Sequence, residues 1–106
     1  MKIHFLSDKV ANALTQHLAA GRSIKLFRLQ KEETYFYVTE LLLINKGLTL
    51  KGHFVPLGCP WDMKLIELIA ESTITLSYDT PIYVEIYSTY VSGNRTVNIP
   101  HNLIGN

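Results

Sequence analysis

Two stretches of this chain alternate apolar and polar side chains with a period of two, and no other feature limits the fold so much. Leu48, Leu50 and Phe54 alternate with Thr49, Lys51 and His53. Further on, Ile74, Leu76 and Tyr78, then Ile82, Val84 and Ile86, alternate with Thr73, Thr75 and Ser77, then Tyr83, Glu85 and Tyr87. A period of two sends successive side chains to opposite faces, so each stretch reads as a strand with one buried face. The segments 24–29 and Thr34–Ile44 are rich in β-branched and aromatic residues and read as strands too. Lys31-Glu32-Glu33 supplies a polar turn between them, and Asn45-Lys46-Gly47 a hairpin loop whose Gly can take positive φ. Asp79-Thr80-Pro81 and Ser92-Gly93-Asn94 make later turns, and 96–99 adds a last strand that Pro100 is expected to end. Residues 2–6 are short and apolar enough for a first strand.

Helical periodicity occurs twice. Ser7 and Asp8 offer N-cap oxygens, and Val10, Ala13, Leu14, His17 and Leu18 recur at spacings of three and four until Gly21. After the interruption Pro56-Leu57-Gly58-Cys59-Pro60, a second helix starting at Pro60 would align Trp61, Leu65, Leu68 and Ile69 in one stripe, with Lys64, Glu67 and Glu71 opposite. The predicted order is β-α-β-β-β-α-β-β-β. Strands joined by such short turns imply a mainly antiparallel β-sheet with two helices packed on one face, an α+β fold forming a single domain over 1–106.

With 106 residues the chain suits one compact core without a staple. One Cys cannot form an internal disulfide, and the N-terminus meets the charge of Asp8 before a long apolar region develops, so a reducing, cytoplasmic setting is expected. The run Leu41-Leu42-Leu43-Ile44 falls far short of the ~20 apolar residues of a membrane span, and no membrane association is expected. Ten Lys and Arg against nine Asp and Glu exert no overall pull on nucleic acid or acidic lipid. Asn94-Arg95-Thr96 matches a glycosylation sequon and reads as a turn.

Catalytic patterns are sparse. The six Gly lie singly, and neither G-x-S-x-G nor a Gly-rich phosphate loop occurs. Glu67 and Glu71 would share a helical face, which reads as a solvated surface. Cys59, just ahead of a helix start with His53 six residues upstream, has the elements of a thiol nucleophile and base; a small buried apolar residue is the plainer reading. His4, His17, His53 and His101 show no metal-ligand spacing, so a metal site would have to be assembled by the fold. No enzyme, cofactor or metal is expected.

Two surface patterns remain. Arg22, Lys25, Arg28 and Lys31 recur every three residues; on a helix they would form a ridge for phosphates, whereas a strand sends Arg22 and Arg28 to one face and Lys25 and Lys31 to the other. The second pattern is aromatic. With Ile82, Val84 and Ile86 inward, Tyr83, Glu85 and Tyr87 point outward; with Phe36 and Val38 inward, Tyr35 and Tyr37 do so too. Tyr is enriched where proteins meet partners, although cross-strand aromatic pairs also stabilise an inert sheet, and two such faces can stack as a homodimer. The expected function is therefore that of a non-catalytic protein-binding protein, an inhibitor, adaptor or accessory subunit occluding a surface of a larger assembly through Tyr83, Glu85, Tyr87, Tyr35 and Tyr37. A mobile-element or phage protein directed at host machinery fits the same description. A nucleic-acid-binding module using Arg22, Lys25 and Arg28 is the alternative, and a thiol-dependent enzyme using Cys59 the second.

Overall fold

A computed structural model describes residues 2–29, 31–59 and 62–105. Its elements are β1 (Ile3–Phe5), α1 (Asp8–Ala19), β2 (Ser23–Phe27), β3 (Thr34–Ile44), β4 (Gly47–Pro56), α2 (Met63–Glu67), β5 (Ser72–Ser77), β6 (Pro81–Ser92) and β7 (Arg95–His101). The α+β class and the element order agree with the sequence pattern. All strand pairings are antiparallel, in the order β1-β6-β2-β3-β4-β5. β6 is long enough for β1 to pair with Pro81 to Tyr83 and β7 with Ile86 to Ser92 along one edge, while β2 takes the other.

Local chemistry explains the element ends. The Ser7 hydroxyl accepts the Val10 N–H at 3.3 Å, capping α1, and Asp8 places a carboxylate near the positive end of the helix dipole. At the other end Gly21 adopts φ +79°, its N–H donates to Leu18 O, and the Arg22 N–H donates to His17 O. This is the paired closure of a Schellman motif. β2 stops at Phe27 because Arg28 turns into the left-handed region at φ 58°. In the β3–β4 hairpin the positive φ falls on Lys46 (56°) rather than on Gly47. Gly47 is required for a different reason, since a Cβ there would lie 2.6 Å from the Leu76 carbonyl of β5.

Pairing shifts between Val38 and Glu40, leaving Thr39 as the extra residue of a β-bulge. The bulge exchanges the faces: Phe36 and Val38 share a face with Leu41 and Leu43 beyond it, opposite Leu50 and Leu48. Opposite Val38 only Gly fits, because a Cβ on Gly52 would stand 1.9 Å from the Tyr37 carbonyl. Pro100 does not end the last strand. It pairs with Tyr87 and is followed by the Ile86–His101 pair, which is tolerated because β7 is an edge strand and one side of it needs no ladder donors.

The main core lies on one face of the sheet. Leu6, Val10, Ala11 and Leu14 pack there on Ile24, Leu26, Phe36, Val38, Phe54, Ile82, Val84 and Ile86, and Leu103 closes the end. The Phe36 and Phe54 rings meet edge to face at 4.9 Å. The second helix departs from expectation in two respects. It lies on the opposite face, where buried Ile66 meets Tyr35 and Val55 and half-buried Ile69 joins them. Its register differs as well: Asp62 is the N-cap and its carboxylate accepts the Lys64 N–H at 2.9 Å, so Leu65 and Leu68 are exposed. Pro60 and Trp61, expected at its start, lie outside the described residues. The helix ends at Glu67, so Glu67 and Glu71 do not share a helical face.

Candidate partner-binding face

The face opposite α1 carries the candidate residues, and strand register sets their arrangement. One row across the sheet reads Ile3, Tyr83, Phe27, Tyr35 and Val55; the next reads Glu85, Lys25, Tyr37 and His53; Tyr87 lies opposite Ser23 in the third. The four tyrosines and Glu85 expected to share a face therefore do so. α2 divides the group, because it covers Tyr35, which is buried against Ile66 and Val55, with the half-buried Phe27 ring 5.8 Å away. Tyr35 is thus a wall of the second core rather than an outward contact residue. Tyr37, Tyr83, Glu85 and Tyr87 stay half-buried.

Lys25 occupies the middle of the face. Its ammonium lies 4.7 Å from the Tyr35 ring centre and 5.5 Å from that of Tyr87, a cation–π geometry with two rings at once. Burial lowers the Lys25 pKa, and the carboxylate of Glu85 on the neighbouring strand partly restores it. Glu85 also accepts the Tyr87 hydroxyl at 2.6 Å. That hydrogen bond, aided by burial and by the carboxylate charge, pushes the Tyr87 pKa up to about 12. Tyr35 is likewise pushed up to about 12, by burial first and then by the nearby Cys59 and Tyr37. Burial raises Tyr37 as well, opposed by a hydrogen bond with Ser23.

The expected partition of the basic segment is only half right. Lys25 does face away from α1, but the left-handed turn at Arg28 swings its guanidinium onto the same face, 4.5 Å over the Tyr83 ring. Arg22 goes the other way and donates to His17 Nδ1 at 3.0 Å. Strand parity cannot anticipate a residue that has left the strand. Beyond Tyr83, Ile3 and Phe5 of β1 stand 42% and 60% exposed and extend the face with apolar surface. Neither was expected there, because the pairing of β1 with β6 has no local signal.

The histidines, scattered in sequence, partly converge on the α1 side. The rings of His17 and His101 are 6.4 Å apart, and His101 Nε2 lies 2.6 Å from the Ser88 hydroxyl. Arg22 can only donate, so His17 Nδ1 accepts and its Nε2–H donates to the Leu103 carbonyl at 2.9 Å. This fixes a neutral tautomer that ties α1 to the C-terminal segment. His53 is engaged separately, through Nδ1 and the Ile69 carbonyl at 2.9 Å. Among the described residues no group of three or more His, Cys, Asp or Glu is placed to hold a metal ion. Cys59 packs into the second core beside Tyr35 and Ile66. Among the described residues no helix is long and apolar enough to cross a membrane. No protein-family model, curated protein or solved structure matches the chain.

Proposed function

We propose that this chain is a non-catalytic protein-binding protein of the cytoplasm, an inhibitor, adaptor or accessory subunit, which acts by occluding a surface of a larger protein through the open half of the tyrosine-bearing face. One observation carries the reading: Tyr83 and Tyr87, with Lys25 and Arg28 held over aromatic rings, stand beside exposed Ile3 and Phe5 on a part of the sheet that α2 leaves uncovered. Tyr and Arg dominate binding hot spots because they combine large rigid contact area with polar tips. Here the side chains are already ordered by cation–π contacts and by the Tyr87–Glu85 hydrogen bond, which lowers the entropy lost on docking. Glu85 and Tyr37 belong to the contact; Tyr35 supports it from beneath α2.

Affinity capture from the native cell, with the parent chain and a Tyr83→Asp/Tyr87→Asp variant as baits, tests the reading. Both side chains are half-buried on the surface, so the variant should keep its circular dichroism spectrum and lose the partner. Undiminished recovery by a folded variant would sink the idea.

A second reading draws on the unexpected position of Arg28. Two cations among several rings on a sheet face also suit single-stranded nucleic acid, whose bases stack on aromatic side chains while phosphates meet Lys and Arg. Glu85 in the middle of the face opposes phosphate, and Arg22 lies elsewhere, so protein contact is preferred. A gel shift that weakens steeply with salt would support nucleic-acid binding, and no shift at low salt would dispose of it. The packing of Cys59 into the second core supports a structural thiol, and equal behaviour of Cys59→Ser in every assay is expected.

A further inference from the structure

β5 closes one side of the sheet, and its outer edge pairs with no other strand among the described residues. The phase of the β4–β5 ladder identifies which backbone groups stand open. The Tyr78 N–H donates to the Lys46 carbonyl at 2.9 Å, and the register continues through Gly47–Ser77, Leu48–Leu76 and Leu50–Ile74. Hydrogen-bonded pairs alternate in an antiparallel ladder. The N–H and C=O of Leu76 and Ile74 therefore turn toward β4, and those of Thr73, Thr75 and Ser77 turn outward.

Exposed edges are normally blunted by brevity, charge, proline or a bulge. The opposite side of the sheet is blunted in these ways: β1 is only three residues long, and β7 carries Arg95 and Pro100. β5 has none of these devices. Its sequence Ser-Thr-Ile-Thr-Leu-Ser holds no charge, proline or glycine, and its pairing with β4 runs without a bulge. Ile74 and Leu76 are buried on the core side, while Thr73, Thr75 and Ser77 are exposed on the other.

We propose that β5 is a self-association edge, on which a second copy of this chain lays its own β5 antiparallel about a twofold axis normal to the sheet. The strand is complementary to itself. With Thr75 opposite Thr75, Ile74 falls opposite Leu76 on the core side and Thr73 opposite Ser77 on the other, so like surfaces meet on each face. In that register Thr75 exchanges both backbone bonds with its copy and the outward N–H of Ser77 meets the Thr73 carbonyl, while the Ser77 carbonyl, which already accepts the Thr80 N–H at 3.2 Å, is shared with the Thr73 N–H; within β5 itself no charge opposes the approach. The cross-strand hydroxyl contact extends a pattern already present, since the Thr49 and Thr75 hydroxyls lie 3.5 Å apart. A twofold axis normal to the sheet leaves both tyrosine-bearing faces on the same side, and the pairing uses none of their residues. Contact confined to two strand edges lies at the small end of interfaces, below about 1,200 Å², so the dimer should be reversible and concentration-dependent.

Sedimentation equilibrium of the intact chain over a wide concentration range should show a monomer–dimer equilibrium. Thr75→Lys, which sets two ammonium groups against each other on the axis, should sediment as a monomer throughout, whereas Tyr83→Asp/Tyr87→Asp should dimerise like the parent. A parent that stays monomeric overturns the proposal; so does a Thr75→Lys variant that still dimerises. Should Thr75→Lys fail to fold, Thr75→Cys in a Cys59→Ser background decides the matter. Opposed Cα atoms of a hydrogen-bonded pair lie about 5.5 Å apart, within disulfide reach. Oxidation should trap a covalent dimer that Cys59→Ser alone does not form, and failure to trap it refutes the Thr75-centred pairing.

Discussion

Lys25 illustrates how far a single residue depends on neighbours remote in sequence. Its parity relative to Ile24 and Leu26 already sends it away from the apolar core, and that much is legible from a period of two. What it meets there is not legible, because Glu85 and Tyr37 become its cross-strand neighbours only through the pairing of β2 with β6 and β3. Arg28 shows the opposite failure: parity assigns it to the wrong face, since a φ of 58° takes it out of the strand. Glu85 is the residue on which the local electrostatics turn. It holds the proton on Tyr87 through their hydrogen bond and keeps the charge on Lys25. Glu85→Gln should therefore bring the Tyr87 pKa down from about 12 toward its ordinary value of 10.0 and lower that of Lys25 further. Titration of tyrosine absorbance against pH would show one phenol fewer in the most alkaline phase, and an unchanged curve would mean that burial rather than Glu85 holds the Tyr87 proton.

Among the elements, α1 and the β3–β4 hairpin were readable because each carries its own punctuation. α1 has a Ser cap and a Gly stop bracketing a clear period, and the hairpin has long β-branched and aromatic strands joined at a tight turn. α2 was readable only as an element. Five residues give too little periodicity to set a phase, and apolar side chains at Leu65, Ile66, Leu68 and Ile69 allow more than one stripe. The Asp62 cap settles the phase by starting the helix at Met63, which turns Ile66 onto Tyr35 and Val55. Its placement on the far face was also hidden, because nothing local distinguishes one side of a sheet from the other. The energetic consequence is specific. Ile66 is fully buried, so Ile66→Ala should cost about 2–5 kcal/mol of stability through lost burial and a residual cavity. Leu68 is 83% exposed, and Leu68→Ala should change stability by no more than about 0.5 kcal/mol. Urea unfolding of the two variants checks the assignment, and the reverse ranking would restore the stripe read from the sequence.

At the scale of the whole molecule, the alternation that specified strands also specified an amphipathic sheet, and the sum of its titratable groups predicts how stability depends on pH. On the acid side the relevant groups are His4 and His101. Burial lowers both below 6.5, with the charge of Lys2 adding to the effect at His4 and that of Arg22 at His101. The unfolded chain then binds these protons more readily than the folded one, so their contribution is complete above pH 6.5 and lost as pH falls through that value toward the folded pKa values. On the alkaline side the signs reverse. Tyr35 and Tyr87 titrate near 12 when folded, and Tyr37 and Tyr78 are also raised from 10.0, Tyr78 because its hydroxyl donates to Asp8. Their contribution is complete below pH 10 and declines as pH rises toward 12. Lys25, lowered from 10.5, works against them as pH rises to 10.5 and no further, and it is one group against four. The midpoint of urea unfolding should accordingly fall as pH drops below 6.5 and fall again as pH rises beyond 10.5, where Lys25 no longer opposes the tyrosines. Replacing His101 by Gln should flatten the limb between pH 7 and pH 5.5 and leave the alkaline limb unchanged. A midpoint that rises as the parent is taken from pH 7 to pH 5.5 would mean that the folded protein gains histidine protons, contrary to the packing of His17, Arg22 and His101 against one another.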